Sequence, residues 1–158
     1  MSEEVVLVTG GSRGIGKSIV EKYAKAGGYA VYSTATSISG KKKIDQVLEK
    51  YSVIGAGLVF NMLDEGIDDF VKNFLSQYGA PSILINNAGV TDDALILRMR
   101  ESQWDNVIDT NLKGTFRITK AFIRHMIKAR KGKIIFLSSV VAASGNAGQV
   151  NYSASKAG

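Results

Sequence analysis

The stretch TGGSRGIG, residues 9–16, decides the fold because it joins an apolar run to an amphipathic one. Val5–Val8 lies directly before it and predicts a buried strand. Ile15, Ile19 and Tyr23 recur at every fourth residue after it, which predicts one face of a helix. A strand, a glycine-rich turn and a helix in this order predict the first half of a βαβ unit.

The spaced glycines of this turn predict a phosphate-binding loop. Gly10 permits the tight turn, Gly14 lets the backbone approach a phosphate, and Gly16 lets the helix pack closely on the strand. The free N–H groups at the helix N-terminus would then face the pyrophosphate of a dinucleotide. Surface loops also collect glycine, but the position between a strand and a helix strengthens the prediction. The other predicted contacts in this loop are Ser12, Arg13 and Ile15.

Short apolar runs alternate with amphipathic stretches along the rest of the chain. Strands are predicted at 29–32, 57–60, 82–85 and 134–137, and helices at 41–50, 67–78, 101–111 and 115–129. In the last helix we expect one face to hold Phe116, Thr119, Phe122, Ile123 and Met126. Strands that are apolar throughout predict a parallel sheet covered on both faces. The element order therefore predicts a Rossmann-like, doubly wound α/β fold in one domain, 1–158.

The residues predicted to follow the second strand carry hydroxyl groups and no acid. Sites that prefer NAD place an acidic residue about 20 residues after the turn, where it binds the ribose hydroxyls. Here the stretch 33–37 reads STATS, and Thr36 lies within it. Arg13 in the turn can meet a 2′-phosphate, and the hydroxyls of 33–37 can donate hydrogen bonds to it, so the sequence predicts NADP(H) rather than NAD. A solvated loop side chain is the alternative for Arg13, and 41–43 adds positive potential or begins a solvated helix.

Two further motifs carry a resemblance to a known family. NNAG at 86–89 follows the fourth predicted strand, and YSASK at 152–156 has the spacing Tyr-x-x-x-Lys. Together with the G-x-x-x-G-x-G turn, these motifs resemble the short-chain dehydrogenase/reductase family. The resemblance implies contacts to the cofactor from Asn61, Met62, Asn87, Ala88 and Gly89. Asn61 alone would equally cap a turn, and Asn87 is expected to tie the strand ends together.

The resemblance implies a catalytic set of Asn111, Ser139, Tyr152 and Lys156. Tyr152 would donate a proton to a carbonyl oxygen, and Ser139 would hydrogen-bond that oxygen. Tyr and Lys four residues apart share one helix face, and an ammonium beside a phenol favours the phenolate. Lys156 would also bind the nicotinamide ribose, and Asn111 would order a water that leads protons to Lys156. Each residue taken alone has an ordinary alternative. The Tyr-x-x-x-Lys spacing arises by chance, Ser138 and Ser139 would cap a strand, and Asn111 would end a helix.

Within the family, several stretches resemble the 3-oxoacyl carrier-protein reductases: TDDA at 91–94, RM at 98–99, SVV at 139–141 and GQVNY at 148–152. This resemblance implies NADPH-dependent reduction of a 3-oxoacyl-[acyl-carrier-protein] thioester in fatty-acid synthesis, by a homotetramer. It also implies that Arg124 and Arg130 dock the acidic carrier, although both would equally be solvated surface residues. A reductase of another carbonyl and a non-catalytic nucleotide-binding module are the alternatives.

The sequence stops at Gly158, about one turn into the predicted catalytic helix. The family continues with further strands and a segment that closes over the substrate, so we expect a C-terminally incomplete fold. We favour a piece of a longer, working reductase. The alternative is a weakly active fragment with Tyr152 and Lys156 on a frayed terminus.

The length, composition and net charge of the chain exclude several classes of protein. The 158 residues are 45% hydrophobic and 22% charged, which is enough apolar material for one globular domain. The chain has no cysteine, so it forms neither disulfides nor thiolate metal sites. The net charge of +6 suits an acidic ligand, but no basic run is interleaved with aromatics, and no nucleic-acid or metal partner is expected. We see neither a signal peptide nor a run of membrane-spanning length, and expect a cytoplasmic protein, or an organelle stroma if a transit peptide was removed.

Overall fold

The computed structural model describes residues 3–158, in which strands alternate with helices. The elements are β1 (Glu4–Val8), α1 (Gly14–Ala26), β2 (Tyr29–Ala35), α2 (Ile38–Lys50), β3 (Gly55–Val59), α3 (Ile67–Tyr78), β4 (Ile83–Asn86), α4 (Glu101–Ile108), α5 (Thr115–Lys128), β5 (Lys133–Phe136), α6 (Val141–Ser144) and α7 (Val150–Ala157). A short 3₁₀ turn spans Ile96–Arg98, and a π-helical turn at Asp109–Gly114 joins α4 to α5.

The five strands form one parallel sheet in the order β3-β2-β1-β4-β5. The chain builds outward from β1 in one direction and then crosses over to build outward from β4 in the other. The connections that leave β1 and β4 therefore run in opposite directions, and a crevice opens beyond the carboxyl ends of these two strands. The prediction of a Rossmann-like, doubly wound α/β fold is therefore confirmed.

Two apolar clusters cover the two faces of the sheet. Leu7 of β1 packs with Phe74 of α3 and Phe122 of α5 on one face. Val8, the next residue along β1, packs with Val20 of α1 on the other face. This alternation means that β1 is buried on both sides, as an apolar strand in the middle of a parallel sheet must be.

Helix α1 buries a face one residue away from the predicted one. The buried residues of α1 are Gly16, Val20 and Ala24. Ile15 is 67% exposed, and Ile19 and Tyr23 are only partly covered. One residue is a rotation of about 100° around the helix axis. Close packing explains the difference, because small side chains let the helix approach the sheet more closely than the larger ones would.

The apolar face predicted for α5 was wrong in part. The buried residues of α5 are Ile118, Phe122 and Met126. Phe116 and Ile123 are exposed and line a groove of about 650 Å³ between α5, β5 and α7. The predicted face therefore combined residues that pack on the sheet with residues that line this groove, because both sets follow the helical period.

Strand β5 departs from the prediction of a sheet covered on both faces. Ile135 is 42% exposed and Phe136 is 57% exposed. β5 is the edge strand of the described sheet and pairs only with β4. The apolar composition of β5 therefore predicts a strand correctly, but it does not predict that the side chains of this strand are buried.

Two helix boundaries differ from the sequence prediction. α2 begins at Ile38, because the Oγ of Ser37 accepts a hydrogen bond from the N–H of Gly40 at 3.1 Å and caps the helix. The helix predicted at 101–111 ends its α-helical part at Ile108, and Asn111 lies in the π-helical turn. Such turns insert one residue into a helix and are frequent at functional sites.

Among residues 3–158, no helix is both long enough and apolar enough to span a membrane. The same residues contain no group of three or more His, Cys, Asp or Glu side chains arranged to hold a metal ion.

Candidate active site

A cleft of about 490 Å³ opens at the carboxyl edge of the sheet, where the connections from β1 and β4 diverge. The structure brings together on its wall twelve of the fourteen residues that the sequence predicts to bind a cofactor: Gly10, Ser12, Arg13, Gly14, Ile15, Gly16, Thr36, Asn61, Met62, Asn87, Ala88 and Gly89. The other two, Tyr152 and Lys156, do not line this cleft, and Lys156 lines the groove between α5, β5 and α7. Thr34 of the hydroxyl stretch is on the wall too, with residues that the sequence did not single out: Ala35, Phe60, Leu63, Val90, Asn106 and Thr110. No local motif marks these residues, which reach the cleft through the fold.

The glycine turn leaves open space at Gly14 and is closely packed at Gly16. Gly14 has φ = 55°, a left-handed conformation that favours glycine, and a Cβ there would meet no atom within 4 Å. The space beside the first turn of α1 is therefore open. A Cβ on Gly16 would instead collide with the carbonyl oxygen of Gly10 and with Nδ2 of Asn87. Gly16 thus permits the close contact between α1 and the ends of the strands.

Thr9 and Asn87 tie the ends of β1 and β4 together. The Oγ1 of Thr9 accepts hydrogen bonds from the N–H groups of Asn87 and Ala88, both at 3.0 Å. Nδ2 of Asn87 donates to the carbonyl oxygens of Thr9 and Gly10, both at 2.9 Å. Thr9 is fully buried and was not predicted as a site residue, although its position directly after β1 was a usable signal.

The strand predicted at 29–32 extends to Ala35, so Ser33 and Thr34 lie inside β2 and only Thr36 and Ser37 of the hydroxyl stretch follow it. Ser33 is buried and donates to a carbonyl of β1 at 2.8 Å, and the Oγ1 of Thr34 accepts from a turn N–H at 3.1 Å. Ser37 caps α2. The O–H of Ser33 is therefore not free to meet a 2′-phosphate, whereas Thr34 and Ser37 only accept in these bonds and keep a hydroxyl donor. Thr36 and Arg13 are exposed at the cleft and retain that role as a prediction.

Asn61 and Met62 shape the wall beyond β3. The Oδ1 of Asn61 accepts a hydrogen bond from the N–H of Leu63 at 3.1 Å, which closes a local turn. Met62 is buried and supports the wall from behind. The turn-forming alternative for Asn61 is therefore present, together with its position on the cleft.

Tyr152 and Lys156 lie one turn apart on α7. The ammonium nitrogen of Lys156 is 5.8 Å from the centroid of the Tyr152 ring and donates to the carbonyl oxygen of Leu137 at 2.8 Å. Partial burial lowers the pKa of Lys156 below its ordinary value, because desolvation disfavours the charged form. The end of β5 thereby orients this ammonium group.

Asn111 projects from the π-helical turn onto the loop after β4. Its Oδ1 accepts from the N–H of Val90 at 2.8 Å, and its Nδ2 donates to the carbonyl of Val90 at 2.9 Å and to the Oγ of Ser155 at 3.0 Å. Both amide donors are engaged, so the side chain has no N–H left for the predicted water. In this structure the Asn111 side chain joins the loop that borders the cleft to α7.

Ser139 lies just past β5 and is half-buried. Its carbonyl oxygen accepts from the N–H of Ala142 at 3.0 Å, so its position is set by the start of α6. The neighbouring Ser138 donates to the carbonyl of Lys156 at 2.9 Å. A strand cap was the alternative for Ser138 in the sequence, but in the structure it forms a second link between the end of β5 and α7.

Residues 4–158 match the model of the short chain dehydrogenase family. The chain belongs to this family. It is 47% identical over 156 residues to the 3-oxoacyl-[acyl-carrier-protein] reductase FabG of Pseudomonas aeruginosa, an alignment that covers 98% of this chain and 63% of the relative. It is 44% identical to the enzyme of the same name from Escherichia coli K12, over 98% of this chain and 62% of the relative.

A solved structure assigned as a short-chain alcohol dehydrogenase from Sinorhizobium meliloti is also similar. It superimposes with a TM-score of 0.92 at 34% identity and covers 100% of this chain and 63% of that one. This short chain dehydrogenase sequence therefore spans less than two thirds of the length of these relatives. The resemblance to the 3-oxoacyl carrier-protein reductases, seen in the motifs, is confirmed over the length of this chain.

The two arginines predicted to dock a carrier protein lie apart from the other site residues of this short chain dehydrogenase. Arg124 is exposed on α5, and Arg130 is exposed in the turn after α5 with φ = 50°. Next to it, Lys131 forms an ion pair with Glu4, the first residue of β1, at 2.6 Å. Arg130 is therefore at the amino edge of the sheet, opposite to the cleft.

Proposed function

We propose that the protein is an NADPH-dependent reductase that converts a 3-oxoacyl-[acyl-carrier-protein] thioester to the 3-hydroxyacyl form in fatty-acid synthesis. One observation carries the proposal: twelve predicted residues from four separate segments line one cleft at the carboxyl edge of the sheet. The 44% to 47% identity to reductases of that name supports the choice of substrate. We propose residues 1–158 as the NADP(H)-binding domain of this enzyme.

The residues of the cleft fit a dinucleotide phosphate. The space beside Gly14 and the N–H groups at the start of α1 accept a pyrophosphate without a collision, since no atom lies within 4 Å of a Cβ at Gly14. Gly89 and Ala88 present little side chain at the end of β4, so a flat ring can approach the backbone there. The bound cofactor would supply the hydride.

The charge of the cleft favours the phosphorylated form of the cofactor. Arg13 and Thr36 are exposed at its mouth, and the stretch after β2 carries no acid that would repel a 2′-phosphate. Arg13 also borders a second groove with Lys17, Lys43 and Lys50. This positive potential attracts a dinucleotide that carries an additional phosphate.

The catalytic residues would act on the carbonyl oxygen of the substrate. Tyr152 donates a proton to this oxygen as negative charge develops there, and Ser139 donates a hydrogen bond to it. Lys156 binds the nicotinamide ribose and replaces the proton that Tyr152 gives up. The lowered pKa of Lys156 makes its ammonium a better proton donor than an ordinary lysine.

We also propose a homotetramer in the cytoplasm that takes its substrate from an acyl carrier protein. Arg124 and Arg130 supply positive charge for an acidic carrier. On one chain Arg130 is at the edge of the sheet opposite to the cleft, so the carrier would meet these arginines away from the catalytic residues of that chain.

A spectrophotometric assay with the full-length protein tests the proposal. We expect loss of NADPH absorbance with a 3-oxoacyl-[acyl-carrier-protein] thioester and a 3-hydroxyacyl product by mass spectrometry. Parallel reactions with a sugar, a steroid and a quinone carbonyl test the substrate class. Turnover of one of those carbonyls alone would contradict the thioester, and NADPH binding without turnover of any carbonyl would contradict an enzyme.

A further inference from the structure

Asn151, the residue before Tyr152, is a buried polar side chain to which the proposed mechanism gives no role. It has 0% relative exposure. Its Nδ2 donates to the carbonyl oxygens of Asp92 at 2.9 Å and Gln103 at 3.1 Å, and its Oδ1 accepts from the N–H of Tyr152 at 2.8 Å. Both amide donors and the acceptor are therefore used, although the three partners belong to three different segments.

The bond to Tyr152 replaces a cap that α7 lacks. α7 begins at Val150, and Gln149 before it makes no side-chain capping hydrogen bond. The N–H of Tyr152, third in the helix, has no partner within a regular helix. Asn151 supplies that partner from inside the first turn, which fixes the backbone that carries the tyrosine ring.

The other two bonds attach this turn to α4, at Gln103, and to the loop that borders the cleft, at Asp92. Val90 lines the cleft, and Asp92 follows two residues later in the same loop. The loop is also bonded to α4, because Nε2 of Gln103 donates to a carboxylate oxygen of Asp92 at 2.6 Å. Asn111 binds the loop at Val90 and Asn151 binds it at Asp92, so two buried asparagines connect it to α7.

We infer that Asn151 is a positioning residue that sets the place of Tyr152 relative to the loop bordering the nucleotide cleft. The inference rests on the proposed reductase function, since it assigns a consequence to the position of the tyrosine. A shift of about 1 Å at a reacting group can cost about 100-fold in rate. Asn151 acts through Tyr152 and does not itself contact the reacting atoms.

The test compares Asn151→Ala with a matched control, Asn146→Ala, in the full-length protein. Asn146 is exposed and bonds only locally, from Nδ2 to Oε1 of Gln149 at 3.0 Å. With the carbonyl substrate that the wild type reduces, we expect kcat of Asn151→Ala to fall about 10- to 100-fold. The affinity for NADPH, measured by fluorescence, should stay within about twofold because the glycine turn is unchanged. The control should keep its kcat within about twofold.

Amide hydrogen exchange gives a readout that needs no substrate. In Asn151→Ala the N–H of Tyr152 should exchange faster, whereas the amides of β1 should keep their protection. Unchanged exchange at Tyr152 overturns the inference, as does an unchanged kcat. A joint loss of kcat, NADPH affinity and β1 protection also overturns it, because that pattern describes general destabilisation. If the wild type reduces no carbonyl, the proposed function fails and exchange at Tyr152 alone decides the inference.

A second variant serves if Asn151→Ala does not fold. Asn151→Asp keeps the size and the acceptor for Tyr152 but places carboxylate oxygen against two carbonyl oxygens. When protonated, the carboxyl donates one hydrogen bond again. The kcat of Asn151→Asp relative to the wild type should therefore rise as the pH falls. A ratio that does not change with pH would overturn the inference.

Discussion

Around residues 9–16 the chain is held by backbone atoms in close contact, whereas α7 is held by side chains that reach it from distant segments. In the first region a Cβ at Gly16 would collide with Gly10, only six residues away. In the second, Asn151 bonds to Asp92 and Gln103, which are 59 and 48 residues away in the sequence. The comparison indicates that the glycine turn itself is closed by a local contact and that α7 is held by contacts to distant segments.

The two kinds of construction should respond differently to mutation. A change in the glycine turn alters backbone packing, so it should affect folding and nucleotide binding together. A change on α7 alters the place or chemistry of one group, so it should affect the rate while leaving nucleotide binding intact. The four predictions below, made for the full-length protein, test this separation.

The largest expected effect is on catalysis alone. Tyr152→Phe removes the hydroxyl that we propose as the proton donor, and kcat should fall about 10²- to 10⁴-fold. NADPH affinity by fluorescence titration should stay within about twofold of the wild type, because the glycine turn is untouched. Retention of the full rate would show that another group is the acid.

The next largest effect is on stability and binding together. Gly16→Ala places a Cβ against the carbonyl oxygen of Gly10 and Nδ2 of Asn87, so the turn must shift. We expect a loss of about 1–3 kcal/mol in the free energy of unfolding, measured by urea denaturation, and weaker NADPH binding. Gly66→Ala is the control, since a Cβ there meets no atom within 4 Å and φ is −74°. A change at Gly16 as small as that at Gly66 would contradict the close packing of the turn.

A smaller effect should separate the two nicotinamide cofactors. Arg13→Ala removes the cation placed for the 2′-phosphate, and KM for NADPH should rise about tenfold, the loss of one charge-assisted hydrogen bond. KM for NADH, which lacks that phosphate, should stay within about twofold and serves as the internal control. Equal increases for both cofactors would mean that Arg13 contacts a part that the two share.

The smallest effect is a pH dependence that arises from Lys156. Burial lowers its pKa below the ordinary value of 10.5, so the folded protein releases this proton before the unfolded chain does. Between the lowered pKa and 10.5 the unfolded state binds more protons, and stability from this group rises with pH. The difference in unfolding free energy between wild type and Lys156→Met should therefore increase toward pH 10.5. A difference that stays constant or falls would contradict the burial of this ammonium.

Site residues that lie in short sequence motifs were predicted, whereas residues held by contacts to distant segments were missed. The cleft residues were predicted from short motifs, and the structure lines all twelve of them along one wall. Thr9 was missed although it follows β1 directly, because threonine after a strand has many ordinary roles. Asn151 was missed because its partners, Asp92 and Gln103, carry no pattern that refers to α7.

The hydroxyl groups at the end of β2 show why residue type alone was insufficient. Ser33, Thr34 and Thr36 look equivalent in the sequence, yet Ser33 donates to β1, Thr34 accepts from the glycine turn, and Thr36 is exposed at the cleft. Strand alternation and proximity to β1 decide which hydroxyl is free. The same limit applied to α1, where spacing identified a helix but placed its buried face one residue away.

By itself the sequence determined the parallel α/β class, the glycine-rich turn at 9–16 and the spacing of Tyr152 and Lys156, because these depend on glycine conformation and on short-range periodicity. Only the tertiary structure decided which hydroxyls are free, how Asn111 and Asn151 join the loop after β4 to α7, and how burial lowers the pKa of Lys156. Hydrogen bonds and desolvation depend on what folding brings within a few ångströms, and those partners are distant in the sequence.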